Sequence, residues 1–342
     1  MALSASFSLS TMDHISPQRA REILDRAKGR RIAVVGDLIL DRYLWGHVSR
    51  ISPEAPVPVV EIESETIGLG GAGNVVHNLR TLGARPVPFG VVGNDAAGEV
   101  LSGILRNVCS DVRGILKVAT RLTSEKTRII ASDQHVVRAD RESVVDIGES
   151  EERALISTLE EILPEIDAII VQDYNKGVVT ARVIEGVIAA VRRRGIPIAV
   201  DPKFNNFFAF KGVTVFKPNT KEIESALGVH IATDSQMEEA GRTLFERLGC
   251  QHILVTRGEQ GMTLFHDPYH IEHIHTRARK VHDVSGAGDT VISTLSVAMT
   301  GGAELGECAV LANYAAGVVC EEVGVIPIER DRLIAAIERD PL

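Results

Sequence analysis

Asp283-Val284-Ser285-Gly286-Ala287-Gly288-Asp289-Thr290 runs directly into Val291-Ile292-Ser293-Thr294-Leu295-Ser296-Val297-Ala298-Met299. The second half carries apolar residues at helical spacing and predicts a helix. The first half is a small-residue loop that feeds the helix N-terminus, and Gly286 and Gly288 free the backbone to turn tightly. The first N–H groups of a helix lack internal partners, and the helix dipole adds positive potential there, so the loop suits an anion such as a phosphate. Asp289 would repel a resting phosphate. It fits a general base that takes a proton from a hydroxyl attacking phosphorus, and it also fits a simple helix-start acid.

Further strand–helix units surround this stretch. Arg31-Ile-Ala-Val-Val-Gly36-Asp37 is a compact apolar run ending in a polar residue, as in a central parallel strand. Polar groups just past such strand ends lie where α/β sheets bind ligands, so Asp37 is a candidate for sugar hydroxyls or a turn residue. Ala168-Ile-Ile-Val-Gln172 ends the same way and sets Asp173 and Lys176 beside the same face. Pro197-Ile-Ala-Val-Asp201-Pro202-Lys203, Thr214-Val-Phe-Lys217 and Gln251-His-Ile-Leu-Val-Thr256 repeat the rhythm. The expected fold class is α/β, a doubly wound, mostly parallel sheet with helices on both faces. Residues 13–28 read as a short polar helix, and residues 1–11 as a frayed tail.

Two segments interrupt the rhythm, at about 42–67 and 114–139, and are expected to form a small β lid. In the first, Pro53, Pro56 and Pro58 exclude a central strand, and Trp45 is read as a packing residue. In the second, alternation puts Lys126 and Arg128 on one strand face, with Arg138 on the return after a turn at Asp133. These cations suit a substrate phosphate or a solvated face. Between the lid segments, Gly68-Leu-Gly70-Gly71-Ala-Gly73-Asn74 matches a dinucleotide fingerprint, but it does not follow the first strand of a βαβ unit. It is read instead as a glycine loop that lets substrate approach backbone, with Asn74 offering its amide to a hydroxyl. Asn219 and Glu222 form a capping-box pattern. His266, His270, His273 and His275 lie on a predicted hairpin and are read as solvated in preference to metal-binding.

The Asp283–Asp289 string resembles the D-T-x-G-A-G-D motif of the ribokinase-like (PfkB) carbohydrate kinases, with Val284 and Ser285 as variants. The resemblance spans about 31–330. It implies a ribokinase-like three-layer fold, Asp289 as base, and an anion hole of Gly286, Ala287 and Gly288. It also implies ATP with Mg²⁺, with Glu222 placing the metal through water beside Asn219. A nucleotide loop at Thr256, Gly258 and Gly261, and Asn313 at the adenine, follow from the same resemblance. Gly70, Gly71 and Asn74 match the family's G-G-x-x-N sugar motif. Gly36-Asp-Leu-Ile-Leu-Asp41-Arg-Tyr and Ser49-Arg-Ile-Ser-Pro-Glu-Ala-Pro-Val-Pro-Val-Val look like the branch acting on D-glycero-D-manno-heptose 7-phosphate in ADP-heptose synthesis for lipopolysaccharide cores. That implies phosphorylation of the anomeric hydroxyl. Asp37, Asp173, Lys126, Arg128, Arg138 and Lys176 are then assigned to the sugar phosphate, and Lys203 to either phosphate. Phe-Asn-Asn after Lys203 departs from the branch. No H-x-G-H nucleotidyl-transfer motif is present, so the kinase step alone is expected. Fructose- or tagatose-phosphate kinases and a non-catalytic sugar sensor are the alternatives.

The 342 residues carry a formal net charge of -9 and 24% charged residues, giving no support for nucleic-acid or anionic-membrane binding. No apolar run approaches the roughly 18 residues of a spanning helix. The four cysteines are scattered without metal or disulfide spacing, which suggests a cytoplasmic setting. The expected organisation is a tail and short helix over 1–30 and one kinase domain over 31–342. A homodimer through lid strands is expected because exposed edges tend to be covered.

Overall fold

The structure is a computed structural model that describes residues 14–132, 134–278 and 281–340. The expected tail over 1–11 and the turn residue Asp133 lie outside the described residues. In chain order the strands are β1 (Arg31–Gly36), β2 (Leu38–Ile51), β3 (Pro58–Gly71), β4 (Arg85–Gly93), β5 (Gly114–Val118), β6 (Ser124–Ala131), β7 (Gln134–Arg141), β8 (Ala168–Gln172), β9 (Ile198–Asp201), β10 (Val215–Phe216), β11 (His252–Thr256), β12 (Met262–Phe265) and β13 (Ile271–Ile274). Nine of them form one sheet in the order β13-β12-β11-β10-β9-β8-β1-β4-β5. All its pairings are parallel except those of the β11–β12–β13 meander at one edge.

Period-two alternation in these strands feeds two cores. Ile32 and Val34 of β1 and Ile170 of β8 face a cluster built with α1 (Pro17–Ala27) and α2 (Ala72–Thr81). Ala33, Val35, Ile169 and Val171 face the opposite cluster. In chain order the remaining helices are α3 (Ala96–Val108), α4 (Glu149–Ile162), α5 (Ala181–Arg194), α6 (Thr220–Leu227), α7 (Asp234–Leu248), α8 (Ala287–Thr300), α9 (Leu305–Cys320) and α10 (Arg330–Glu338). Helices α3, α8, α9 and α10 join α1 and α2 on the first face, and α4 to α7 cover the second. This is the expected three-layer α/β arrangement.

The lid is a four-stranded sheet in the order β3-β2-β6-β7. β2 and β3 pair from Leu38↔Gly71 to Ile51↔Pro58, so the lid hairpin is longer than the expected 42–67. Pro53 and Pro56 fall in its turn and Pro58 opens the edge strand, where a missing N–H costs no central ladder bond. The second expected segment, 114–139, divides. Residues 114–118 are β5 and pair in parallel with β4 in the main sheet; only β6 and β7 enter the lid. Trp45 packs as expected, stacking on Tyr43 with ring centroids 5.9 Å apart while its indole N–H donates to Thr66.

Helix α1 is the short helix expected within residues 1–30. Ser16 caps it, Pro17 opens it, and Ala20, Ile23, Leu24 and Ala27 are buried. It packs on α8 and α10, so this apolar stripe is part of the first core. Among the described residues, no helix is long and apolar enough to cross a membrane.

Candidate active site

The C-terminal ends of β1, β8, β9 and β10 and the N-terminus of α8 meet at one place. Gly286 supplies the bend into α8 with φ +79°, a conformation that L side chains rarely adopt. A Cβ there would sit 2.8 Å from Asn74 Nδ2. Asp283 anchors the loop by accepting from the Ser285 and Gly324 N–H groups at 2.9 and 3.1 Å. The Ala287 N–H donates to the Val284 carbonyl at 3.2 Å. One of the three expected anion-hole amides therefore already has a partner.

Asp289 lies in the first turn of α8 and is 3% exposed. Its Oδ2 accepts from Asn74 Nδ2 at 2.8 Å. Its Oδ1 accepts from the Tyr174 hydroxyl at 2.8 Å and from Gln172 Nε2 at 3.1 Å. Burial pushes its carboxyl up to about 7, with nearby Asp201 adding to the rise, while the Asn74 and Tyr174 hydrogen bonds and Lys217 pull it back. A helix-start acid of no other use would sit exposed in its own turn. This one is buried, has its carboxyl raised to about 7, and is held by Asn74 of α2 and by Gln172 and Tyr174 at the end of β8.

Lys217 and Asp201 are both buried and form a 3.0 Å ion pair. A Cβ on Gly288 would lie 3.5 Å from Lys217 Nζ and 3.7 Å from Asp201 Oδ2, so the glycine turn and this pair are neighbours. They border a cleft of about 470 Å³. Lys203, Asn219, Thr256, Gly258, Gly261 and Asn313, the residues expected for nucleotide, all line it, and Tyr174 stands at its inner end. The 256–261 loop is tight: Arg257 N–H donates to the Gly261 carbonyl at 2.8 Å, and a Cβ on Gly261 would meet the Ile274 carbonyl at 2.1 Å. Asn313 Nδ2 is engaged by the His275 carbonyl at 2.6 Å. Asn219 and Glu222 form the reciprocal capping box at both 2.9 Å contacts, and the other Glu222 oxygen pairs with Lys203. Lys203 also lies 5.5 Å over the Tyr174 ring.

The residues expected for the sugar phosphate group on the lid side of Asp289. Asn74 is buried, and its Oδ1 accepts from Asn78 Nδ2 at 3.1 Å. Gly71 has φ +56°, and a Cβ on Gly70 would meet Asp41 Oδ2 at 2.3 Å, so Gly70 lets that carboxylate lie against the loop. Asp41 is 3% exposed and pairs with Arg128 at 2.6 Å. Lys126 contacts Asp140 and Glu142 at 3.1 and 3.2 Å, and Lys176 contacts the other Glu142 oxygen at 2.6 Å. Arg138 faces Arg128 across the β6–β7 ladder, pairs with Asp140 at 3.0 Å and is largely exposed.

Asp37, expected at sugar hydroxyls, accepts from three backbone N–H groups, those of Tyr174 at 2.8 Å, Lys176 at 3.1 Å and Val178 at 3.2 Å. It is a buried clamp on the loop after β8, and burial raises its pKa. Asp173 is also buried, and its Oδ1 accepts from the Asn175 N–H at 2.7 Å. Burial raises its carboxyl to about 7. Both hold the turn that presents Tyr174 and Lys176. Sequence reasoning missed Tyr174, Gln172, Asp41, Asp201 and Lys217 as site residues. Their common signal is position, since each lies on or just past a strand that feeds the site.

The fold and site together define a carbohydrate kinase, and the chain belongs to the pfkB family of carbohydrate kinases, whose model matches residues 30–331. It is 44% identical over 315 residues to the bifunctional protein HldE of Geotalea uraniireducens, covering 92% of this chain and 64% of that protein. It is 41% identical over 321 residues to the bifunctional protein HldE of Paramagnetospirillum magneticum, covering 94% and 66%. The chain thus spans just under two thirds of the length of these relatives. In fold it is similar to phosphofructokinase-2 from Escherichia coli, with TM-score 0.75 at 18% identity, covering 91% of this chain and 99% of that one. Ribokinase from Arabidopsis thaliana in complex with ribose and ATP gives 0.69 at 19%, with the same coverage.

Proposed function

We propose that this chain moves the terminal phosphoryl group of ATP onto the anomeric (C1) hydroxyl of D-glycero-D-manno-heptose 7-phosphate, giving the 1,7-bisphosphate. The observation that carries the chemistry is the buried Asp289, with its carboxyl at about 7, lying at the seam between the nucleotide cleft and the lid-side polar groups. The substrate assignment rests on the strings at 36–43 and 49–60 and is supported by the similarity to HldE proteins.

In this reading Asp289 takes the C1 hydroxyl proton as the oxygen attacks phosphorus in line. Asn74 and Tyr174 hold the carboxylate until the hydroxyl arrives. Asn74 then turns to the sugar, consistent with its place at the end of the 70–74 loop. The Gly288 N–H and Lys217 meet charge on the transferring phosphoryl. Gly286 completes the anion hole, and the Ala287 N–H joins once it leaves the Val284 carbonyl. Lys203 steadies the nucleotide phosphates. Asp201 at the cleft, with Glu222 behind Lys203, offers the hard oxygen donors that suit water-coordinated Mg²⁺. When bound, that ion neutralises charge on the phosphates. Asp41, against the 70–74 loop, joins Asp37 as a partner for sugar hydroxyls. Lys126, Lys176 and Arg138 receive the 7-phosphate, which replaces Glu142 and Asp140 as their counter-anion. Arg128 orients Asp41. Lid closure over the sugar excludes competing water.

The lid surface exposes Val48, Ile51, Ile62 and Val137, which supports a homodimer formed through the lid. The four free, buried cysteines support a reducing, cytoplasmic setting. Phosphorus NMR of the product tests the reaction. The expected result is a new resonance coupled to the anomeric proton, in step with ADP. A phosphate on another carbon would overturn the assignment.

A further inference from the structure

We propose that the β12–β13 hairpin holds one divalent transition-metal ion of the zinc class between His266, His270 and Glu272. None of the three lines the cleft beside Asp289, and the proposal is independent of the substrate assignment.

The hairpin brings the three together by its register. His266 follows β12, and its N–H donates to the His270 carbonyl at 3.0 Å, so the two histidines face each other across the turn. Glu272 is two residues beyond His270 and therefore on the same face of β13. Asp267 Oδ1 accepts from the Tyr269 and His270 N–H groups at 2.7 and 2.8 Å, which pins the turn. His252, on neighbouring β11, places Nδ1 2.9 Å from the His266 carbonyl.

The ligand atoms already nearly fit an ion. One atom from each of the three lies within 4.8 Å of the others. His266 Nε2 is 3.2 Å from Glu272 Oε2, and His270 Nε2 is 3.8 Å from Glu272 Oε1. Ligands bound at about 2.0–2.2 Å in a tetrahedron stand about 3.3–3.6 Å apart; the two histidine–carboxylate contacts, made to different Glu272 oxygens, bracket that spacing, and any wider separation within the 4.8 Å cluster contracts as an ion binds. His266 Nε2 is buried and makes no hydrogen bond, although it faces the carboxylate. An imidazole nitrogen in that position is oriented as a ligand. Glu272 is 6% exposed. Two imidazoles and one carboxylate select zinc-like ions over Mg²⁺, which prefers oxygen and keeps its water. A water completes the fourth position.

The ion would tie the outermost strand of the main sheet to its neighbours. The same strand leads into His275 and Thr276, which carry the Asn313 contact and part of the cleft wall.

The test is metal content and isothermal titration of the chelator-treated, re-dialysed protein. The expected result is about one equivalent of Zn²⁺ that millimolar Mg²⁺ does not displace, with a raised melting temperature. His270 is half exposed, so His270→Gln keeps the fold, confirmed by circular dichroism. It weakens Zn²⁺ binding at least about tenfold and abolishes the thermal shift. His230→Gln, at an exposed histidine elsewhere, leaves both unchanged. Absence of Zn²⁺ binding by the unaltered chain, which would make the cluster a plain histidine–carboxylate ion pair, would overturn the proposal. So would equal binding by His270→Gln.

Discussion

The Tyr174 hydroxyl donates to Oδ1 of Asp289 at 2.8 Å, linking the loop after β8 to the first turn of α8. Burial among carboxylates holds this phenol well above its usual pKa, so it remains a donor throughout the working range. It stabilises the ionised Asp289 and opposes the burial that raises the carboxyl to about 7.

Tyr174→Phe removes one donor and lets the Asp289 pKa rise further. Catalysis needs the ionised form, so rate climbs as pH rises through the folded pKa. The acid limb of the kcat/KM profile, centred near 7 in the unaltered protein, moves upward by about one unit. A uniform fall in rate at every pH, with the limb in place, would mean that Tyr174 is only a packing residue.

Asp289→Asn keeps the shape and the Asn74 contact but has no base. Turnover falls by at least about a hundredfold, while calorimetric affinities for nucleotide and sugar phosphate stay within a few-fold. Near-normal turnover would remove Asp289 from the base role.

Asp173 gives a stability prediction with a definite sign. Its folded pKa of about 7 lies above the ordinary carboxylate value, chiefly through burial. Folded protein therefore keeps a proton that the unfolded chain releases, and its stabilising contribution is lost as pH rises from about 4 to about 7. Asp173→Asn escapes that loss. Its melting temperature exceeds that of the unaltered protein by about 2–4 °C at pH 8, and the gap closes as pH is lowered toward 4. A constant gap across that window would show that Asp173 does not titrate as described.

Gly70→Ala would place a Cβ 2.3 Å from Asp41 Oδ2. The Asp41 carboxylate must shift, which disturbs its 2.6 Å pair with Arg128. The KM for the sugar phosphate rises at least about tenfold, while the KM for ATP, bound on the other side of Asp289, barely changes. Steady-state kinetics with each substrate varied in turn separates the two.

Much of this was legible in the sequence because short-range patterns wrote it. Apolar runs of five or six residues gave the parallel strands, and the glycines and terminal Asp of the 283–289 stretch gave the α8 site. The six expected nucleotide residues line one cleft because each follows a strand end or belongs to a helix facing it. The misses came from side chains whose roles depend on tertiary direction. Asp37 and Asp41 are four residues apart on either side of a break between sheets, and only the pairing of Leu38 with Gly71 sets Asp41 against the 68–71 stretch. Tyr174 points at Asp289 because Asp37 clamps the backbone around it, a contact 137 residues apart in sequence. Residues 114–118 join the main sheet and not the lid, and the sequence does not separate the two because a short edge strand carries no mark of which sheet it joins.

The most direct measurement is coupled ADP release with Mg-ATP across D-glycero-D-manno-heptose 7-phosphate, fructose 6-phosphate, tagatose 6-phosphate, ribose and no sugar. The expected result is a strong preference in kcat/KM for the heptose phosphate and only background release without sugar. Preference for a hexose phosphate, or no turnover above background with any of them, would contradict it.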